Sequence, residues 1–229
     1  MAVILNIESA TEVCSVAIGK DGHLLEMKET HEPNSHSSLL AVFVDELLKS
    51  KKMEGEKIDA VAVSKGPGSY TGLRIGVSLA KGLCYSLDVP LISVNTLKAL
   101  AFGARNHYLT GKDSLLCPMI DARRMEVYSA VYDAELNVIK PVTAEIITGT
   151  SYNEILEKSI VYFFGNGSEK CQEVIKHPNA KFIGGITNSA IQLVELSCLA
   201  FKAGEIEDTA YFEPFYLKDF VATKRKKSF

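Results

Sequence analysis

The chain has 229 residues, of which 47% are hydrophobic and 23% charged, and its formal net charge at pH 7 is −3. This is an ordinary globular composition, and the length suffices for one large domain or two small ones. The charge balance excludes a global electrostatic footprint for nucleic acid, so any contact with RNA has to be local or made by a partner.

Cysteine usage and the apolar segments indicate the cellular setting. The five cysteines are widely spaced, and none belongs to a Cys-x-x-Cys pair. This pattern is typical of a reducing cytosol and argues against a disulfide framework or a zinc ribbon. The N-terminal apolar run lacks a preceding basic region, and the apolar segment 39–48 is interrupted by Asp45 and Glu46. We therefore predict a cytoplasmic protein without signal peptide or membrane span.

The first half of the chain is predicted to begin with three antiparallel strands and then to alternate helices and strands. Lys20-Asp21-Gly22 is a good hairpin turn, and the apolar residues of 36–51 recur at helical spacing. The predicted strands are 3–7, 13–19, 24–28, 58–64 and 91–94, and the predicted helices are 36–51, Ser69 to about Leu87, and a segment through Leu97, Leu100 and Ala101.

The second half repeats this order without a residue-level repeat. Strands are predicted at 115–120, 126–132, 137–141, 160–164 and 181–183, and helices near 152–157, 168–175 and 189–203. A structural duplication of two α/β subdomains, each βββαβαβα, is the economical explanation. The join is expected within 106–113, which gives subdomains 1–108 and 109–210. Residues 211–229 are predicted to form an irregular C-terminal segment that ends in a basic run at 224–227.

The most unusual stretch is Gly-Pro-Gly-Ser-Tyr-Thr-Gly-Leu-Arg-Ile-Gly at residues 66–76. Gly72, Gly76 and Ala80 recur every four residues and leave one stripe of the predicted helix without large side chains. A glycine inside a helix costs roughly 0.5 to 1 kcal/mol relative to alanine, so these glycines should serve a packing or functional need. A tight contact within the chain and a contact with a second chain both remain open, and the two can coexist.

Three turns are candidates for binding a phosphate or nucleotide. Actin-like and sugar-kinase-like proteins hold nucleotide phosphates in duplicated units that open with a strand, a polar turn and a second strand. The candidate residues are Glu8, Ser9 and Thr11 in the first turn, Asp121 in the second, and Gly165 and Gly167 before a predicted helix. Plain hairpin turns and ordinary helix capping are the alternatives, since neither of the first two turns contains glycine.

Indications of catalysis or metal binding are weak. Ser69 and Thr71 have no histidine or lysine at a spacing that would mark an activating base, and the five histidines form no i, i+4 pair. No catalytic and no metal-binding residue is predicted. The basic tail has two interpretations, salt-sensitive contacts with RNA phosphates or a solvated terminus.

Four segments together resemble the TsaB (YeaZ) family, and the resemblance covers nearly the whole chain. They are Ile4-Leu5-Asn6-Ile7-Glu8-Ser9-Ala10-Thr11, the central 66–76 with Ala80-Lys81-Gly82, Asp121-Ala122-Arg123-Arg124-Met125-Glu126-Val127-Tyr128, and Pro214-Phe215-Tyr216-Leu217. The central segment is long and specific. Ala10 departs from the serine usual in the family, which weakens a phosphate role for the first turn. The resemblance implies an α/β actin-like (ASKHA, RNase H-like) fold.

The same resemblance implies a function through a partner. It implies a non-catalytic scaffold or activating subunit of the complex that adds the threonylcarbamoyl group to N6 of adenosine 37 in tRNA. The implied partners are a TsaD-like catalytic paralogue and a TsaE-like ATPase. When the chain is alone, a homodimer is expected. Contact with tRNA is expected to be indirect, through the complex. No intrinsic cofactor is implied, and ATP with Mg²⁺ is expected only in the complex.

TsaD-type proteins carry a metal-binding His-x-x-x-His pair just after a Val-Asn dipeptide. In this chain Val94-Asn95 is followed by Thr96 and Leu100, and a threonine and a leucine cannot hold a metal in that way. The resemblance therefore implies that this chain is not the catalytic member. The alternative hypothesis is a stand-alone enzyme of the actin-like superfamily, either ATP-dependent or peptidase-like.

The family pairs through its first two helices, which here are the predicted helices 36–51 and 69–87. The predicted interface residues are Leu39, Leu40, Phe43, Leu47, Tyr70, Gly72, Leu73, Gly76, Val77 and Ala80. On this basis Gly76→Leu is expected to abolish the complex while leaving the chain folded.

Overall fold

The computed structural model describes residues 1–108 and 114–218, with only the backbone at 106–108. The first half contains β1 (Val3–Glu8), β2 (Cys14–Lys20), β3 (His23–Thr30), α1 (His36–Leu48), β4 (Ala60–Gly66), α2 (Tyr70–Leu87), β5 (Leu91–Asn95) and α3 (Thr96–Tyr108). The second half contains β6 (Ser114–Asp121), β7 (Glu126–Tyr132), β8 (Val138–Ile146), α4 (Asn153–Leu156), β9 (Ile160–Phe164), β10 (Ala180–Phe182) and α5 (Ile191–Ala203). Short 3₁₀ helices lie at Lys51–Met53 and Glu169–Cys171.

Each half forms one five-stranded sheet, and the two sheets have the same strand order. The first runs β3-β2-β1-β4-β5, and the second, read from its other edge, runs β8-β7-β6-β9-β10. In each sheet the first three strands are antiparallel, and the last two are parallel to the first. The predicted duplication and the α/β actin-like fold class are confirmed.

The helices of the second half are shorter than the sequence pattern predicts. α4 has only four residues. The predicted helix 168–175 is reduced to the 3₁₀ helix Glu169–Cys171 and a following turn, in which Val174 N and Ile175 N both donate to Cys171 O. Cys171 and Ile175 are buried in the core of this half, so the apolar residues that suggested a helix pack as a tight turn instead.

Each half contributes its last helix to the packing of the other half. α5, from the second half, packs across β1, β2 and β5 of the first sheet, while α3 packs against β6 of the second sheet and against α5. Leu97 and Leu100 of α3 share a buried cluster with Leu116 and Ile120 of β6. The two halves are therefore joined through these helices. The predicted join at 106–113 lies largely outside the described residues.

The first sheet is buried on both faces. Val3, Leu5 and Ile7 pack with Leu40 and Leu47 of α1, together with residues of α2. The alternate side chains Ile4, Ala60, Ala62 and Ile92 pack with Cys198 of α5. Side chains of a strand alternate between faces, so burial on both faces explains the continuous apolar runs of β1 and β4.

The predicted hairpin turn after β2 is confirmed. Asp21 and Gly22 form the two-residue connection to β3, with φ angles of +50° and +84°. Two-residue hairpin turns favour residues that adopt positive φ angles, because the twist of such a turn matches the twist of the two strands.

The chain after α5 returns to the first half as an irregular strap, residues 205–218. Glu207 N donates to Leu91 O at 2.9 Å, and Phe215 N donates to Lys65 O at 2.7 Å. The Lys81 ammonium donates to Ala210 O at 2.9 Å and to Phe212 O at 3.2 Å. The C-terminal segment is irregular, as predicted, and its described part is anchored beside α2.

All five cysteines are buried and have free thiols. Burial raises the pKa of the Cys84 and Cys171 thiols to about 11, so both are protonated at neutral pH. In the described ranges, none of the helices has the length and apolar character needed to cross a membrane.

Candidate functional site

The glycine-rich helix α2 begins where the sequence places it. Ser69 has an extended backbone, and its hydroxyl oxygen accepts from Gly72 N at 3.3 Å, as an N-cap residue does. The helix ends at Leu87, and Asp88 takes the left-handed conformation, with φ of +54°.

The glycine stripe of α2 receives the first turn of the chain. A Cβ atom at Gly68 would lie 2.2 Å from Ala10 O, and one at Gly72 would lie 2.1 Å from Ser9 O. At Gly76 it would lie 2.1 Å from Ser9 Oγ and 3.1 Å from Ser9 Cβ. The contact within the chain is therefore confirmed. The expectation that Gly76→Leu leaves the chain folded is wrong, because the leucine would overlap a buried turn.

Most of the predicted interface residues face the interior of this chain. Leu40, Leu47, Gly72, Leu73, Gly76, Val77 and Ala80 are buried, and they pack against the first sheet or the first turn. A second chain cannot reach them in this conformation. Helical periodicity identified an apolar stripe but not the side toward which it points. Leu39, Phe43 and Tyr70 are half-buried and remain accessible in part.

The outward side of the two helices carries a second apolar stripe, which we call the outer strip. Its members are half-buried and rest on the core beneath them: Leu39, Phe43 and Leu48 of α1, and Ile75, Leu79 and Leu83 of α2. Four of them were not among the predicted interface residues: Leu48 of α1, and Ile75, Leu79 and Leu83 of α2, which follow one another at i, i+4 and i+8 on one helix face. The outer strip is apolar surface available to a partner, as are the exposed side chains Val42, Tyr85 and Leu87 of the same helices.

The strap borders α2 near its N-terminus. The rings of Tyr70 and Tyr216 lie with centroids 4.9 Å apart, and the Arg74 guanidinium lies 4.6 Å from the centroid of the Tyr70 ring. Phe212 packs against the same core cluster as the outer strip. Tyr70, a predicted interface residue, is thus partly covered by this chain's own C-terminal segment.

In the first candidate phosphate turn, Glu8 Oε1 and the backbone of Ala10 are engaged internally. Glu8 is completely buried, and its Oε1 accepts from Ala10 N at 2.7 Å and from Ser64 Oγ at 2.8 Å. Ala10 O accepts from Ser69 N at 2.6 Å. Ser9 and Thr11 are buried as well. The Ala10 amide, which could cradle a phosphate, is therefore bonded to the chain's own carboxyl group, and nucleotide binding by Glu8, Ser9 and Thr11 stays a prediction.

Burial dominates the chemistry of Glu8. It raises the pKa of this carboxyl group to about 7, although the hydrogen bonds from Ala10, Ser64 and Ser9 act in the opposite direction. Its Oε2 atom, together with Ser9 Oγ and Thr11 Oγ1, is buried without a hydrogen-bond partner among the described residues. This environment could not be predicted from the sequence, in which Glu8 is a polar residue at the end of an apolar strand.

The second and third candidate turns come together in space. Asp121 N donates to Asn166 Oδ1 at 3.0 Å. A Cβ at Gly165 would lie 2.3 Å from Met119 O, and one at Gly167 would lie 2.8 Å from Ile120 C. These glycines are required by close backbone packing.

Sequence reasoning missed Lys170, which neutralises the second turn. Its ammonium forms an ion pair with the Asp121 carboxylate and donates to Arg124 O and Glu126 O, both at 2.6 Å. The Lys170 ammonium therefore lies beside the Asp121 carboxylate, where a metal ion bound to a nucleotide phosphate would otherwise lie. Nucleotide binding by Asp121, Gly165 and Gly167 stays a prediction.

Sequence and structure comparisons give the family. A family model described as TsaD, tRNA N6-adenosine threonylcarbamoyltransferase, matches residues 28–226. The tRNA threonylcarbamoyladenosine biosynthesis protein TsaB of Escherichia coli is 31% identical, with 97% of both chains covered. The chain belongs to the TsaB family. TsaB of Bacillus subtilis is 30% identical, with 94% of this chain and 93% of the relative covered.

A solved TsaB-family structure has the same fold. YeaZ from Pseudomonas aeruginosa superimposes with a TM-score of 0.79 at 26% identity, and the match covers 95% of this chain and 100% of the other. The family resemblance drawn from the four sequence segments is thus confirmed.

The two positions that distinguish this TsaB-family chain from the TsaD-type pattern have structural roles. Thr96 is buried, and its hydroxyl oxygen accepts from Gly66 N at 3.0 Å, which ties the start of α3 to the end of β4. Leu100 is buried in the cluster between α3 and β6. Within residues 1–105 and 114–218 no three His, Cys, Asp or Glu side chains are grouped as a metal site requires.

Proposed function

We propose that this chain is a non-catalytic scaffold or activating subunit of the complex that adds the threonylcarbamoyl group to N6 of adenosine 37 in tRNA. It acts by binding a TsaD-like catalytic paralogue. The names of its E. coli and B. subtilis relatives, which refer to tRNA threonylcarbamoyladenosine biosynthesis, support this pathway. The family model that matches most of the chain is that of the transferase itself, which supports a paralogue as the partner.

The outer strip is the observation that carries the proposal. Its leucine, isoleucine and phenylalanine side chains rest on the core with one side still open to solvent. Burying such apolar surface gains about 25 cal/mol per Å². Two helices from each chain can pack ridges into grooves as a four-helix bundle, and a specific interface of this kind buries roughly 1,200 to 2,000 Å².

The family resemblance suggests two further partners, a second copy of this chain and an ATPase. We propose that the outer strip supports a homodimer when the paralogue is absent, and that a TsaE-like ATPase joins the complex in the cytoplasm. In the candidate nucleotide turns, Glu8 Oε1, the Ala10 backbone and the Asp121 carboxylate are bonded within the chain. We therefore assign any requirement for ATP and Mg²⁺ to the complex, and not to this chain alone.

The proposal is tested by measuring the affinity of the Leu79→Glu variant for the purified catalytic paralogue. Leu79 lies in the outer strip, so a carboxylate there should weaken binding by about thirtyfold or more, which is the loss typical of an interface hot spot. Ser78→Glu is the matched control, because Ser78 is exposed one residue away on the same helix, outside the strip. Thermal unfolding verifies that both variants fold. Equal affinities of Leu79→Glu and Ser78→Glu would remove the outer strip from the interface.

A further inference from the structure

We propose that the turn between β6 and β7 presents Arg123 and Arg124 as a binding site for the phosphate groups of RNA. This rests on the proposed function, because the RNA concerned is the tRNA that the complex modifies. The site lies on the second half of the chain, in a surface turn that the outer strip does not include.

Turn geometry does not explain the two arginines. Arg123 and Arg124 have φ angles of +70° and +52°. In this left-handed region a side chain with a Cβ is disfavoured, and glycine or asparagine is the usual occupant. Two adjacent long side chains therefore persist here against the local backbone preference. Strain of this kind is characteristic of residues retained for a function.

The turn is held in one conformation by its own hydrogen bonds. The Asp121 carboxylate accepts from Arg123 N at 3.0 Å, and the Lys170 ammonium donates to Arg124 O and Glu126 O. Side chains on such a fixed backbone lose less conformational entropy on binding a ligand than those on a loose loop.

The charges around the turn leave the arginines available. The carboxylate of Asp121 is paired with Lys170, and that of Glu126 is paired with Lys218. Both arginines are exposed, and among the described residues neither guanidinium forms an ion pair with a carboxylate. Glu169, which precedes Lys170, is a further exposed carboxylate in this region. The turn is locally positive in a chain whose net charge is −3.

An open, exposed pair of guanidiniums suits a polyanion better than a small phosphate ligand. Arginine forms paired hydrogen bonds with phosphate oxygens. A small ligand would stay hydrated at such a surface, whereas RNA gains free energy by releasing condensed counter-ions. The sequence continues from Lys218, which contacts Glu126 at this turn, to the basic run Lys224-Arg225-Lys226-Lys227. The charge of that segment is of the sign that RNA requires.

The double variant Arg123→Asn/Arg124→Gly tests the site without endangering the fold. Asparagine and glycine accept the left-handed backbone, so the turn should form at least as readily while both guanidiniums are lost. The control is Lys57→Ala/Lys158→Ala, which removes the same charge from exposed lysines elsewhere. Binding of the substrate tRNA is measured by filter retention over a range of NaCl concentrations, for the full chain alone and in complex with the paralogue.

We expect the double variant to bind tRNA about tenfold more weakly at low salt, with a salt slope smaller by about one to two. The lysine control should change affinity less than twofold. Equal tRNA affinity for wild type and variant, or an equal loss in the control, would overturn the site. A variant that loses capture of a protein partner but not tRNA would instead make the turn a protein contact. If the wild type fails to capture the paralogue, the proposed function fails, and the titration on the chain alone still decides this inference.

Discussion

Glu8 is a carboxyl group that the fold buries without a charged partner. Burial raises its pKa from 4.5 to about 7, and only one of its two oxygens is hydrogen-bonded among the described residues. The folded chain therefore holds a proton at this site that the unfolded chain has already released above pH 4.5. Stability should fall as pH rises from about 4.5 to about 7 and then level off.

Glu8→Gln should remove this pH dependence. Glutamine keeps the shape and the acceptor oxygen but carries no charge, so the variant should match wild type near pH 4.5 and exceed its stability at pH 8 by about 3 kcal/mol. Denaturant unfolding at both pH values measures the difference. Glu12→Gln, which changes an exposed carboxyl group of the same turn, should shift stability by less than about 0.5 kcal/mol. Parallel pH profiles for Glu8→Gln and wild type would contradict the buried acid.

Gly72 and Gly82 of α2 allow the close approach of the first turn to be tested, because the turn contacts the helix at Gly72 and not at Gly82. A methyl group at Gly72 would lie 2.1 Å from the backbone oxygen Ser9 O, whereas at Gly82 nothing lies within 4 Å. Gly72→Ala should therefore lose about 1 to 3 kcal/mol of unfolding free energy. Gly82→Ala should gain about 0.5 to 1 kcal/mol through helix propensity. Thermal melts compare the two, and a neutral Gly72→Ala would show that the turn does not press on the helix.

Among the elements, α1 and α2 show what sequence periodicity can and cannot predict. The period predicted both helices and an apolar stripe on each, but the residues chosen for an interface, such as Leu40, Leu73 and Val77, face the sheet. Periodicity alone does not show which of two apolar stripes covers the core, so the stripe at Ile75, Leu79 and Leu83 was overlooked. The stripe that faces the core can be told from the stripe that faces away only when the position of the sheet beneath the helices is known.

The strap is a further element whose packing the sequence left open. Phe212 is partly buried against the core beneath α1 and α2, whereas Tyr211 beside it is 84% exposed. Phe212→Ala should lower the unfolding free energy by about 1 to 3 kcal/mol, since a partly buried aromatic loses part of the packing of a buried one. Tyr211→Ala should change it by less than about 0.5 kcal/mol. If calorimetry shows the two variants to be equally stable, the strap does not anchor the C-terminal segment.

In the whole molecule, the duplicated order of elements was predictable, because the apolar runs and their spacing repeat from the first half to the second. The crossing of α3 and α5 was not, since chain order assigns each helix to its own half, while the contacts of Leu100 and Cys198 lie in the other. The bond from Ser64 to Glu8 and the ion pair of Lys170 with Asp121 could not be predicted, because each joins residues that are distant in sequence.

The outer strip, whose side chains are partly open to solvent, supports the proposal that this chain acts through a partner. Thr96 and Leu100 support the same account, because both are used in packing. The central claim is that modification of tRNA depends on this chain although it contributes no reacting group.

The most direct measurement is the content of N6-threonylcarbamoyladenosine in tRNA, determined by mass spectrometry after depletion of this chain from its own cells. We expect the modified nucleoside to fall on depletion, to return with the wild-type chain and with Ser78→Glu, and not to return with Leu79→Glu. Unchanged modification after depletion, or full rescue by Leu79→Glu, would contradict a role exerted through the outer strip.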